Sequence, residues 1–222
     1  MRKSLSSFQF LETFFIGSRF VLSDIEGEHG MYKTLIEHIQ NHIKLSDQSA
    51  SRLVDYFESK EINKKEYLLK AGAISRFEYF IVRGCLRVFV IDAKGVENNI
   101  RFGTENWWIG DFTSFLKKEP ASYFIQAIEK TEVLLINRIK WDRLFSEIPE
   151  IAFYFHIMFQ NAALGQQSKI AQHISYTPEQ RYQDLIEKRP ELLQRVPQKY
   201  IASYLGITPE FLSMIRKKIS TS

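Results

Sequence analysis

The 222-residue chain holds a single cysteine, Cys85. One thiol excludes an internal disulfide and any thiolate zinc or iron-sulfur site built within one chain, and it suits a reducing compartment such as the cytoplasm. No stretch approaches the roughly 18 to 20 consecutive apolar residues that a membrane-spanning helix requires. Met1-Arg2-Lys3 precedes an apolar region, but Ser, Gln, Glu and Thr interrupt LSSFQFLETFFIG and no clear small-residue cleavage site follows, so the start does not read as a secretory signal. The five histidines, His29, His38, His42, His156 and His173, lie outside the predicted strands, and the i, i+4 pair His38 and His42 has no evident third ligand. The expectation is therefore no metal and no cofactor. No Ser-His-Asp or Cys-His arrangement and no His/Glu cluster on strands supports an enzyme. Repeats and low-complexity tracts are also missing.

What is present is an uneven distribution of charge. The formal net charge is only +4, yet the segment from Arg195 to the end carries five basic residues (Arg195, Lys199, Arg216, Lys217, Lys218) against one acid, Glu210. The rest of the chain is balanced, with 25 basic and 25 acidic residues. A basic end of this kind neutralises phosphates and draws in nucleic acid with an affinity that falls as salt rises. With 45% apolar residues, 18 Phe and 10 Tyr, the chain is long enough for one larger domain and a small one.

From Met31 the pattern divides into four zones, with residues 1–30 expected to be an extension that is poorly ordered or packs as a loose aromatic arm. Leu35, Ile36, Ile39 and Ile43 repeat at helical spacing, and Ser46-Asp47 starts a second helix carrying Leu53, Val54 and Phe57. Between about Tyr67 and Asn137, short β-rich runs punctuated by Gly72, Gly84, Gly95, Gly103 and Gly110 predict an antiparallel barrel or roll. A long apolar helix follows from Pro149 to about His173, suited either to a symmetric dimer seam or to packing on its own roll. Thr177-Pro178-Glu179 then starts a helix with Tyr182, Leu185 and Ile186, and Pro190 and Pro197 bracket the entry to the last unit.

That last unit, PQKYIASYLGITPEFLSMIRKK, spells two short helices joined by a glycine turn. Ile201, Ala202 and Leu205 supply the inward face of the first, Gly206 the positive-φ turn residue, and Leu212, Ile215 and Ile219 the inward stripe of the second. Glu210, Ser213, Met214, Arg216 and Lys217 are left outward or flanking, where a major groove would meet them. Turn chemistry, apolar stripe and local charge agree on a helix-turn-helix, whereas a solvated basic tail on an ordinary helix corner explains the charge alone.

The order of parts resembles the cyclic-AMP receptor protein and fumarate-nitrate regulator superfamily of bacterial transcription factors over about Met31 to Lys218. FEYFIVRGCLRVFVIDAKGVENNIRF resembles its glycine-punctuated roll strands, IGDFTSFL its phosphate-cassette entry, and IASYLGITPEFLSMIRKK its DNA-reading helix pair. The resemblance implies an α+β fold: a cyclic-nucleotide-binding-like antiparallel β-roll (31–148), a dimerisation helix (149–175) and a helix-turn-helix domain (176–222). It further implies a cytoplasmic homodimer that binds double-stranded DNA at a two-fold symmetric operator, works with RNA polymerase and has no membrane association.

The cassette departs from the cyclic-AMP binders of that family. In them Gly-Glu is followed by a short helix and Arg-Ser-Ala, so that the acid takes the ribose hydroxyl while Arg, Ser and helix-end amides hold the cyclic phosphate. Here Gly110-Asp111-Phe112 stands at the first motif and Ala121-Ser122-Tyr123 at the second, so the phosphate arginine is an alanine. Losing that charge-assisted contact costs on the order of 1.5 to 3 kcal/mol, which argues against cyclic AMP and leaves the effector unknown. Gln166 and Gln167 fall where the long helix would meet a purine, although an exposed helix face explains them equally. Trp107, Trp108, Phe112, Phe115, Tyr123 and Phe124 would form either an aromatic pocket or core filling.

The reading helix departs too, with Pro209 and Met214 in the two arginine places of the best-known pattern. Glu210 keeps the acid that accepts from a cytosine amino group, and Met214 offers an apolar contact. Ser213, Arg216 and Lys217, with Gln198 and Lys199 from the preceding helix and Thr208 at the turn, are the expected remaining contacts, mostly to phosphates. The alternative is a roll that senses a small ligand or binds protein without specific DNA binding.

Overall fold

The computed structural model describes residues 22–220. The expected extension therefore lies largely outside the described residues, and the first helix, α1 (Leu22–Gln40), begins nine residues before Met31. Leu35 and Ile39 are buried on it while Ile36 and Ile43 pack at the margin. Helix α2 (Asp47–Leu53) is capped as read, with the Ser46 hydroxyl accepting the Ser49 N–H at 3.1 Å.

Eight strands follow: β1 (Glu58–Ile62), β2 (Tyr67–Leu69), β3 (Phe77–Arg83), β4 (Leu86–Ile91), β5 (Glu97–Gly103), β6 (Trp108–Ile109), β7 (Phe124–Ala127) and β8 (Thr131–Asn137). They form two antiparallel four-stranded sheets in the orders β1-β8-β3-β6 and β2-β7-β4-β5, the β-roll expected from the glycine-punctuated pattern. Aromatic and β-branched residues dominate β3, β4 and β8, and alternate side chains point to the two faces of each sheet. The inner faces meet in a core that includes Ile62, Tyr79, Ile81, Val88, Ile109, Ile125 and Val133. A short helix, α3 (Phe112–Lys117), interrupts the strands between β6 and β7.

The other face of the first sheet is covered by α1, α2, α4 (Arg138–Glu147) and the first turns of α5 (Glu150–Ser175). Phe80, Phe115, Leu134, Trp141, Tyr154 and Phe155 fill this second core. The indole N–H of Trp108 donates to the Tyr154 hydroxyl at 2.8 Å, so the one polar atom of each ring is satisfied inside it.

After Tyr154 and Phe155 the long helix α5 leaves the roll, and most of its later residues are exposed. Phe153, Phe159, Leu164, Ile170 and Ile174 stand out from it in solvent, with Leu164 64% and Ile174 82% exposed. Helix α6 (Pro178–Lys188) starts on a full capping box between Thr177 and Gln180. Then come α7 (Pro190–Arg195), α8 (Gln198–Leu205) and α9 (Pro209–Ser220). Their core joins Tyr182, Leu185, Leu192, Ile201, Ala202, Leu205, Leu212 and Ile215 to Cys85, Phe102 and Ile128 of the roll, so the C-terminal helices rest on the roll itself. Cys85 is fully buried there, and burial pushes its thiol up to about 12, which leaves it inert as a nucleophile.

Candidate functional site

The α8-α9 unit is built as the sequence predicts. Gly206 ends α8 in the left-handed region with φ 71°, where a side chain would be strained. Ala202 has no exposed surface and lets the helices close on one another, while Leu212 and Ile215 are buried from α9. Ile219 is 38% exposed and lines an open cleft of about 490 Å³ with Tyr182, Ile186, Arg216 and Lys217. It is therefore the rim of the apolar stripe and not part of its buried center, because α9 outruns the partner helix at that point.

Glu210, Ser213, Met214, Arg216 and Lys217 are all exposed on α9, opposite Leu212 and Ile215. Gln198 and Lys199 are exposed at the start of α8. Thr208 is also exposed, but its hydroxyl accepts the Phe211 N–H at 3.2 Å and so caps α9. Backbone and Thr208 hydrogen bonds at this helix start hold the Glu210 carboxyl below its ordinary range. Arg195, one of the five basic residues of the C-terminal segment, does not belong to this face. Its guanidinium binds Glu105 and Glu129 of the roll, which removes it from the charge available to phosphates.

At the cassette, Gly110 lies opposite Glu78, and a Cβ there would fall 1.9 Å from a Glu78 carboxylate oxygen. Only glycine allows that approach. Glu78 is fully buried without a hydrogen-bond partner, and burial drives its carboxyl well above the usual range although the nearby Arg101 charge works against it. Its signal in the sequence is a lone acid within the apolar run FEYFIVR, which the motif reading passed over.

Asp111 is buried and fully engaged. One carboxylate oxygen accepts the Ser114 N–H and the other the Ser122 N–H, both at 3.1 Å. The carboxylate thus caps α3 through the Ser114 amide and ties the Ser122 amide to the same helix start. Ala121 is buried in the roll core, Ser122 is exposed and Tyr123 packs at the core margin. Gln166 and Gln167 are exposed on α5.

The aromatic residues around the cassette do not form one pocket. Phe112 and Phe115 pack on Trp141 in the helix-side core, Trp108 joins Tyr154 there, and Tyr123 belongs to the roll interior. Phe124 stacks on Phe89 with ring centers 5.1 Å apart, and Trp107 is on the surface beneath the Arg189 guanidinium. Trp108 and Phe124 lie on strands of different sheets and Phe112 and Phe115 on α3, so these rings enter separate packing layers while Trp107 stays at the surface. His38 and His42 lie with ring centers 4.7 Å apart, but no group of three metal-ligating side chains occurs among the described residues.

Residues 59–147 match the cyclic nucleotide-binding domain family. No curated protein matches the chain. Among solved structures it is similar to the c-di-GMP responsive global regulator CLP of Xanthomonas campestris, with 14% identity over 79% of this chain and 92% of that one, at a TM-score of 0.65. A CooA variant from Carboxydothermus hydrogenoformans is similar at 15% identity over 83% of both chains, with a TM-score of 0.64. FixK2 of Bradyrhizobium japonicum is similar at 17% identity over 74% of this chain and 85% of that one, with a TM-score of 0.63. At these identities the likeness is one of fold. No helix among the described residues is long and apolar enough to cross a membrane.

Proposed function

We propose that the chain is a member of the superfamily of the cyclic-AMP receptor protein and the fumarate-nitrate regulator, and that it is a homodimeric, sequence-specific DNA-binding transcription regulator and not an enzyme. The observation that carries this reading is the outer side of α9. Glu210, Ser213, Met214, Arg216 and Lys217 are presented to solvent there by a helix pair whose opposite sides are locked together. Helix α5 supports the dimer. Among the described residues its side chains Phe153, Leu164, Ile170 and Ile174 stay exposed, and a second copy of the same helix related by a two-fold axis would bury them.

The effector pocket is degenerate in this reading. A cyclic phosphate entering the cassette would meet no arginine at Ala121, and it would have to displace the Asp111 carboxylate from the Ser114 and Ser122 amides. Regulation by cyclic AMP is therefore not expected, and the pocket residues Gly110 to Phe112 and Ala121 to Tyr123 act as structure.

Base and phosphate contacts separate experimentally. Glu210→Ala should relax specificity at one base pair of each half-site by about 1 to 3 kcal/mol, whereas Arg216→Ala should weaken binding to every duplex alike. Affinities measured on a set of duplexes with single base-pair changes check this. Equal effects of the two substitutions across the set would sink the assignment of α9 as the reading helix.

A further inference from the structure

The contacts between α7-α8 and the roll have a pattern that the DNA-binding reading leaves unused. Strand β5 is the edge of its sheet, so part of its backbone has no strand partner. Ser203 of α8 fills that edge: its hydroxyl accepts the Asn99 N–H and donates to the Glu97 carbonyl, both at 2.9 Å. One turn earlier, Tyr200 covers Arg87. That guanidinium is fully buried between the rings of Phe89 and Tyr200, 3.9 and 4.0 Å from their centers, and is bonded to Gln126 and Glu97.

Arg195, the last residue of α7, completes the set. It forks onto Glu105 with two hydrogen bonds of 2.8 Å and reaches Glu129 through its Nε at 3.1 Å. Glu105 is itself fixed, because it accepts the Gly84 N–H at 2.8 Å. Planar two-point contacts to a carboxylate already held in place set both distance and orientation. From α5, Lys169 donates to the Ile100 carbonyl and lies 3.8 Å from the center of the Tyr204 ring, so α5, β5 and α8 meet at one point.

None of these contacts involves Glu210, Ser213, Met214 or Arg216 on the outer side of α9. Since α8 and α9 share the buried residues Ile201, Ala202, Leu205, Leu212 and Ile215, fixing α8 on the roll fixes α9 as well. We propose that Arg195, Tyr200 and Ser203 are positioning residues for DNA recognition, which clamp the helix pair to the edge of β5 in the orientation that reads DNA. The clamp makes the roll, and not α5 alone, the part that sets where α9 points. This rests on the DNA-binding reading above.

The test compares Arg195→Ala, Glu105→Gln and the double variant. Each is titrated onto an operator selected from a random duplex pool by the wild-type protein and onto a scrambled duplex, and amide exchange in α8 is followed without DNA. Glu105 is an acid on the roll, so electrostatics alone predicts that Glu105→Gln binds DNA equally or more tightly. The clamp predicts the opposite: about tenfold weaker operator binding in each single variant, no further loss in the double variant, unchanged binding to the scrambled duplex and faster exchange in α8. Operator binding that is unchanged or tighter, additive losses, or unchanged exchange in α8 would overturn the proposal. A wild-type protein that selects no operator would remove the DNA-binding reading and with it the clamp's role in recognition, and exchange in α8 would still report whether the clamp itself exists.

Discussion

Single side chains in this protein are set by burial as much as by partners, and His38 and Glu105 are among those that make its stability depend on pH. His38 is lowered to about 4 by burial and by His42 beside it. An unfolded chain binds a proton there from about 6.5, so the folded state should lose stability as pH falls from 6.5 toward 4. Burial works to raise Glu105, but hydrogen bonds from Arg195 and from the Gly84 amide outweigh it and bring it to about 2. Its contribution is present above about 4.5 and is lost as pH falls toward 2. In urea titrations across this range, compared with the wild type, His38→Phe should remove the fall between 6.5 and 4 and Glu105→Gln the fall below about 4.5. A stability profile that neither substitution alters would contradict both assignments. Neither effect was legible in the sequence: the pair His38 and His42 reads as a metal half-site, and Glu105 is 90 residues from Arg195. A pairing over that distance depends on how the strands are threaded, which local pattern does not encode.

Elements were more legible than their neighbours. The capping signals at Ser46 and Thr177, the turn at Gly206 and the periodicity of α5 all lie within a few residues of what they determine, and each stands where local chemistry puts it. The aromatic residues of the cassette were not separable in the same way, because Trp108 and Phe124 lie on strands of different sheets and Phe112 and Phe115 on α3, and the threading of these elements decides which core each ring enters. Arg87, the lone charge in LRVFVI, is buried because Tyr200 of α8 covers that face of the strand. For α5 the consequence is a prediction. Leu164→Glu places a charge in the center of the proposed seam and should weaken the dimer by about a hundredfold. Sedimentation equilibrium checks it, and because Leu164 is exposed in the single chain, the thermal stability of each protomer's roll should barely change.

At the scale of the whole molecule, three cores are joined in series: helices on one sheet, the roll interior, and the C-terminal helices resting on the other sheet. Charge follows the same division. Most basic residues of the C-terminal segment face outward on α8 and α9, while Arg195 turns inward to the roll. The Asp111 carboxylate is taken up by the Ser114 and Ser122 amides beside it. The central claim is a dimeric DNA reader indifferent to cyclic AMP. Fluorescence anisotropy tests it most directly, with the purified protein titrated onto DNA from upstream of its own gene and onto a scrambled duplex, without and with cyclic AMP. The account predicts saturable preference for the upstream DNA that the nucleotide does not change, and preference appearing only with cyclic AMP, or equal salt-sensitive binding to both duplexes, would contradict it.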